Sequence, residues 1–128
     1  MKKLFITIFL ILSMAVSSFA GSDKGKDAIN VELVRHEVKQ QSWGTTERVV
    51  KVKVKNTSGK MIRGITFYFV LTDKGKEVDF VRYFFGRMYP GESQYMYQTM
   101  DYVAPVDGWL FNAHIYYENG KDGNAVNQ

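Results

Sequence analysis

Hydrophobic and polar residues alternate along most of the chain after residue 30, and turn-forming residues interrupt the pattern about every eight to twelve residues. Residues 48–56 show the alternation most clearly, with three valines on one side and three lysines on the other: Val50, Val52 and Val54 against Lys51, Lys53 and Lys55. Such a strand has one face in a core and one in water. The pattern predicts an all-β fold of six strands in two packed antiparallel sheets, or seven if a short strand lies at 40–48.

The other predicted strands vary in how clearly they show an inner face. Residues 31–38 are apolar on both sides, so we expect a β-bulge near Arg35. The third strand has an inward set of Ile65, Phe67, Phe69 and Leu71. Residues 77–85 are again apolar on both sides, which predicts that both faces of that strand are partly covered. The last two strands are predicted at 93–102 and 109–118.

Two turns between these strands have specific residue patterns. The sequence Asp-Lys-Gly-Lys at 73–76 predicts a tight hairpin turn. At 89–92, Pro90 fixes φ at the second turn position and Gly91 permits a positive φ at the third, which predicts a type II turn.

The first 20 residues of the chain predict export. Residues 1–20 resemble a secretory signal peptide, with Lys2 and Lys3, an apolar run and a small-x-small sequence that places cleavage near Ala20. The run is short for a membrane span, and no later segment is long enough, so we expect no stable transmembrane anchor. We predict a flexible leader at 21–29, a sandwich domain at 30–119 and a loose tail at 120–128, with the protein in the periplasm or secreted.

Composition narrows the function further. There is no cysteine, so no disulfide framework is possible. Without Lys2 and Lys3, the 17 basic residues become 15 against 13 acidic ones, a net charge of about +2. A nucleic-acid-binding domain is expected to have a strong, clustered basic footprint, so we expect no nucleic-acid partner.

The order of features from residue 47 to residue 100 resembles the FxLYD domain, a small immunoglobulin-like β-sandwich of exported bacterial and archaeal proteins. The naming motif is matched by residues 69–73, Phe-Val-Leu-Thr-Asp, with Thr72 where the family has tyrosine. Asn56, Gly75 and the Pro90–Gly91 pair match other family positions. The resemblance implies an immunoglobulin-like sandwich that is a binding or structural module of the cell envelope, and it implies no catalytic residues.

Methionine and histidine side chains are the first candidate chemistry. Met88, Met96, Met100 and His114 contain the soft ligands that Cu(I) prefers, and a periplasmic copper-handling domain is therefore an alternative function. Met96 and Met100, however, are about 13 Å apart along one strand, because each strand residue adds about 3.3 Å. We favour core packing for the methionines and expect no bound metal or cofactor.

Tyrosines and lysines are the second candidate. Tyr95 and Tyr97 have the parity opposite to Met96, and with Tyr83 they predict an exposed aromatic surface that binds a partner. The lysine row, Lys51, Lys53 and Lys55, is a polyanion site, a solvated sheet face or a feature that prevents pairing at a sheet edge. We favour the edge reading, because no aromatic residues interleave with the lysines in the sequence.

Of the candidate functions, enzymatic activity has the least support in the sequence. His36 and His114 lie within strands, and neither a cysteine nor a serine in a nucleophile-elbow sequence is present. A cross-strand pair of His114 with Asp101 is one open arrangement. We expect a non-enzymatic module that binds an envelope protein or another envelope component, with an accessory domain of an envelope enzyme system as a further alternative. The sequence leaves the oligomeric state open.

Overall fold

The computed structural model describes residues 28–118 and 120–126, and this part of the chain forms seven antiparallel β-strands. In chain order the strands are β1 (Ile29–Gln40), β2 (Thr46–Asn56), β3 (Ile62–Asp73), β4 (Lys76–Phe85), β5 (Ser93–Met100), β6 (Gly108–Tyr117) and β7 (Gly123–Val126).

The strands form two sheets. Sheet A has three strands in the order β1-β2-β5, and sheet B has four in the order β4-β3-β6-β7. The first, second and fifth strands therefore pair in one sheet, while the fourth strand joins the third, sixth and seventh in the other. This is the strand order of an immunoglobulin-like sandwich with an added strand beside the third. The predicted all-β, two-sheet fold is confirmed.

The core lies between the two sheets and consists of side chains that alternate along the central strands. It includes the three valines of β2 and the predicted inward set of β3, all of them fully buried. Phe67 is the aromatic centre, with its ring stacked on Phe111 at 5.6 Å and edge-on to Phe85 at 5.6 Å. Burial of one such ring stabilises the fold by about 2 to 3 kcal/mol, and contact between rings adds to this.

The predicted bulge and both predicted turns are present. The register of β1 against β2 shifts between Leu33 and Arg35, where the bulge was expected. Lys74 and Gly75 both have positive φ, as a two-residue type I′ hairpin requires. In the type II turn, Gly91 has φ 83° and the Glu92 amide donates to the Tyr89 carbonyl at 2.9 Å.

Several predicted boundaries differ from the structure. The seventh strand is not at 40–48, where residues 41–45 form the hairpin loop, but at 123–126, within the segment predicted to be a loose tail. It forms because Ala125 pairs with Ala113 and is buried in the core. The leader also ends earlier than predicted, because Ala28 and Ile29 are buried against the core. The predicted signal peptide lies outside the described residues.

The outer face of β4 is the other difference. A register shift between Leu71 and Thr72 is accommodated in β4, so that Val78 and Val81 both pack against the core. On the opposite side, Phe80 and Phe84 are 58% and 63% exposed. The prediction that both faces are partly covered is therefore wrong for this strand.

Candidate functional site

The outer face of sheet A brings together most of the residues that the sequence singled out. Lys51, Lys53 and Lys55 of β2 lie beside Tyr95 and Tyr97 of β5, because Lys51 is paired with Tyr97 and Lys53 with Tyr95. On the other side of β2, Arg35 of β1 is paired with Lys51. We call these six residues the basic aromatic face.

The rings and cations of this face are in direct contact. The Lys51 ammonium nitrogen lies 4.8 Å from the centre of the Tyr95 ring, within the range of a cation–π interaction. Arg35 donates a hydrogen bond of 3.2 Å to the Tyr97 hydroxyl, and its guanidinium carbon lies 6.0 Å from the ring centre. Tyr95 and Tyr97 nevertheless remain 49% and 52% exposed. The face is therefore ordered by its own contacts and still open to a partner.

The acidic neighbours of the face belong to β1. Arg35 forms an ion pair with Glu37, and the hydrogen bond to this carboxylate raises the pKa of the arginine. Glu32 is the cross-strand partner of Lys53. Among the described residues, none of the three lysines is in an ion pair. Their charge is therefore available to a ligand.

The position of β2 overturns the edge interpretation of the lysine row. β2 is the central strand of sheet A and pairs with β1 along one side and β5 along the other. It has no free edge for lysines to protect. The tyrosines that the row itself lacks in the sequence come from β5, which is about 40 residues away in the chain, so only the sheet register brings them beside the lysines.

Tyr83 lies apart from this face. It is paired with Phe67 on the inner side of sheet B, and its ring packs edge-on against Phe85 at 4.8 Å. The structure therefore joins two of the three predicted tyrosines to the lysine row and places the third beside the core.

The methionines and His114 are not brought together. Met88, Met96 and Met100 are buried in the core. His114 is on the outer side of sheet B, where its ring nitrogens lie 3.1 Å from the Asn124 side-chain oxygen and 3.4 Å from Asp122. Its acidic neighbour is therefore Asp122 rather than Asp101. Within the described residues there is no group of three or more histidine, cysteine or acidic side chains that could hold a metal ion.

A second exposed aromatic surface lies on the outer face of sheet B, and sequence reasoning missed it. The Tyr68 ring is 6.3 Å from that of Phe80, and Arg82 is the cross-strand partner of Tyr68. Phe84 lies over Gly64, since a Cβ atom at position 64 would be 2.7 Å from its ring. The signal was present in the parity of Phe80 and Phe84, but the apolar residues on both sides of β4 hid which face was exposed.

A buried arginine lies at one end of the sandwich. Arg48 is 3% exposed, and its guanidinium donates to the carbonyls of Tyr102 at 2.9 Å and Ala104 at 2.6 Å. A third contact joins it to Nε2 of His36 at 2.5 Å. Because an arginine can only donate, His36 must be neutral and accept at Nε2. This cluster ties the segment after β5 to sheet A and has a structural role.

No protein-family model matches the chain, and no curated protein is significantly similar to it. Among the described residues there is no helix of the length and hydrophobicity needed to cross a membrane.

Proposed function

We propose that this protein is an exported, non-enzymatic binding module of the cell envelope, and that its basic aromatic face contacts a partner protein. The observation that carries the proposal is the exposure of Tyr95 and Tyr97 beside the lysines of β2, none of which is in an ion pair among the described residues. Tyrosine and arginine are enriched among the residues that dominate binding energy, since they provide large, rigid contact areas with polar ends.

Three further features support this class of function. The signal-like residues 1–20 indicate export, and the resemblance to FxLYD domains implies a binding or structural role in the envelope. The hydrogen bond from Arg35 to Tyr97 and the contact between Lys51 and Tyr95 hold the side chains in place before binding. Ordered side chains lose less conformational entropy when a partner binds, which favours affinity.

Photo-crosslinking in the exporting cell tests the proposal. A photoreactive phenylalanine at position 97 is expected to form an adduct with a specific envelope protein. The matched control is the same substitution at Tyr89, a 58% exposed tyrosine in the turn before β5 and outside the face. Tyr95→Ala is expected to weaken the adduct from position 97. Equal adducts from both positions, or none from position 97, would contradict the proposal.

Export is tested separately. The amino terminus of the protein purified from the envelope fraction is expected at Gly21, after cleavage at Ala20. Recovery of the chain in the cytoplasm with residues 1–20 intact would contradict this part of the proposal.

A further inference from the structure

We infer that the segment bound by the basic aromatic face is an extended acidic peptide with carboxylates at alternate positions. This inference rests on the proposed function and names the chemistry of its partner. It follows from the spacing, the charge and the borders of the lysine row.

Spacing is the first argument. Lys51, Lys53 and Lys55 lie on one side of a regular strand, so their α-carbons follow one another at about 6.6 Å. A peptide in extended conformation has the same two-residue repeat. Acidic residues at alternate positions of such a peptide therefore have the same spacing as the three lysines. The match holds for a peptide parallel or antiparallel to β2.

Charge complementarity is the second argument. Arg35 is already neutralised by Glu37, but the three lysines have no ion-pair partner among the described residues. Glu32 opposes only Lys53 across the strands. The row therefore has an excess of positive charge that an acidic segment would complement, and complementary charges also increase the rate of association.

The residues on each side of the lysine row are the third argument. Tyr95 and Tyr97 stand along one side of the lysines, and Arg35 stands along the other beside Lys51. A peptide above β2 would pack its side chains against exposed tyrosine rings and reach the phenol groups with its backbone amides. The contact with the rings adds hydrophobic burial to the ion pairs, which alone contribute little at a surface.

The number of charges favours a peptide over a lipid bilayer. Clusters of basic residues that bind anionic membranes typically have about four to eight members. The row has three lysines, which is fewer than such clusters contain. A peptide can add the tyrosine and backbone contacts that a flat layer of headgroups does not make.

Fluorescence anisotropy with defined peptides tests the inference. The probe is a labelled peptide with three glutamates alternating with serines, and the comparison peptide has the same composition with the three glutamates adjacent. We expect the alternating peptide to bind at least threefold more tightly. Vesicles containing phosphatidylglycerol form a separate arm, and binding to vesicles without binding to the alternating peptide would overturn the inference.

Lysine variants locate the site. Replacement of Lys51, Lys53 and Lys55 by glutamine is expected to weaken binding of the alternating peptide at least tenfold. The charge-matched control replaces three exposed lysines elsewhere, Lys74, Lys76 and Lys121, by glutamine and is expected to change affinity less than twofold. Equal losses in the two variants would overturn the inference.

A charge-reversed variant guards against a loss caused by misfolding. With glutamate at positions 51, 53 and 55, the protein is expected to bind a peptide of alternating lysine and serine more tightly than the wild type does. Absence of this reversal in a variant with unchanged thermal unfolding counts against the inference. The proposed function is tested independently by crosslinking. An adduct from position 97 without binding of the alternating peptide would support a protein partner but contradict an acidic peptide as the segment that is bound.

Discussion

At the scale of single residues, Asn56 is a buried polar side chain that connects two segments of the sandwich. It is fully buried, and its amide nitrogen donates to the carbonyls of Lys60 at 2.7 Å and Met88 at 3.0 Å. Its side-chain oxygen accepts from the amide and hydroxyl of Ser58. Asn56 therefore joins the β2–β3 loop to the segment that follows β4.

Replacement of Asn56 by aspartate is expected to lower the free energy of unfolding by about 2 to 4 kcal/mol at pH 7. The carboxylate can still accept from Ser58, but it cannot donate to the Lys60 and Met88 carbonyls, and a buried charge without a counter-ion is costly. Urea denaturation measures the effect. Asn112→Asp, at an exposed position of β6, is the control, and an equal loss in both variants would contradict this role of Asn56.

His36 is the residue for which we expect a pH-dependent effect on stability. Loss of solvent around the ring, and then the charge of Arg48, lower the pKa of His36 from its ordinary 6.5 to about 4. The unfolded chain therefore takes up the proton at a higher pH than the folded chain does. The stabilising contribution is complete above pH 6.5 and is lost as the pH falls from 6.5 to 4.

We expect His36 to account for a loss of about 1 kcal/mol over that range, since the residue is exposed in the sheet and solvent screens the repulsion. His36→Gln should remove this part of the pH dependence, because the glutamine oxygen can accept from Arg48 without gaining a proton. Thermal unfolding between pH 7 and pH 4 gives the comparison, with His114→Gln as the control. If His114→Gln reduced the pH dependence of stability and His36→Gln did not, His36 would not be the cause of that dependence.

At the scale of elements, the β3–β4 hairpin shows how a short sequence determines a connection. Two residues separate Asp73 from Lys76, and both have the positive φ that matches the twist of a type I′ hairpin. Gly75 adopts this conformation without cost, whereas Lys74 has a side chain that disfavours it. The Lys74 amide donates to the Asp107 carboxylate at 3.1 Å, which helps to hold the turn.

Lys74→Asn is expected to raise the free energy of unfolding by about 0.5 to 1 kcal/mol, because asparagine tolerates the left-handed conformation better than lysine. Gly75→Ala is the opposing variant and should destabilise the protein by about 1 kcal/mol. Chemical denaturation compares the two. A loss of stability in Lys74→Asn would indicate that the lysine side chain makes a contribution that the backbone argument omits.

At the scale of the whole molecule, the two outer faces of the sandwich differ in character. Sheet A presents the basic aromatic face, whereas sheet B presents Phe80, Phe84 and Tyr68 around Arg82. Exposed aromatic rings of this kind increase adhesion to apolar surfaces without contributing much to folding, since their burial in the folded state is slight.

Phe80→Thr is expected to reduce retention on a hydrophobic-interaction column while it changes the free energy of unfolding by less than about 1 kcal/mol. The core variant Phe69→Ala is expected to cost about 3 to 5 kcal/mol. Column retention and urea denaturation together make the test. A large loss of stability in Phe80→Thr would show that this ring is more deeply packed than its exposure indicates.

Features of the fold could be predicted where they depend on a pattern within one strand or one turn. Strict alternation in β2 was sufficient to assign its inner valines and outer lysines, and the hairpin turn at 73–76 and the positive φ of Gly91 followed from the turn residues. The short strand β7 was missed because four residues with one buried alanine have no readable period. For β4, the sequence could not decide which of two apolar sides is exposed.

The sequence by itself determined the all-β class, the inner faces of the central strands and the position of the β1 bulge, because these depend on periodicity and local turn chemistry. Only the tertiary structure decided that β2 lies in the middle of sheet A, and that Tyr95 and Tyr97 of β5 lie beside its lysines. The lysines and the tyrosines belong to strands far apart in the chain, and whether they become neighbours depends on the order of strands in the sheet and on their register. Neither can be read from one strand alone.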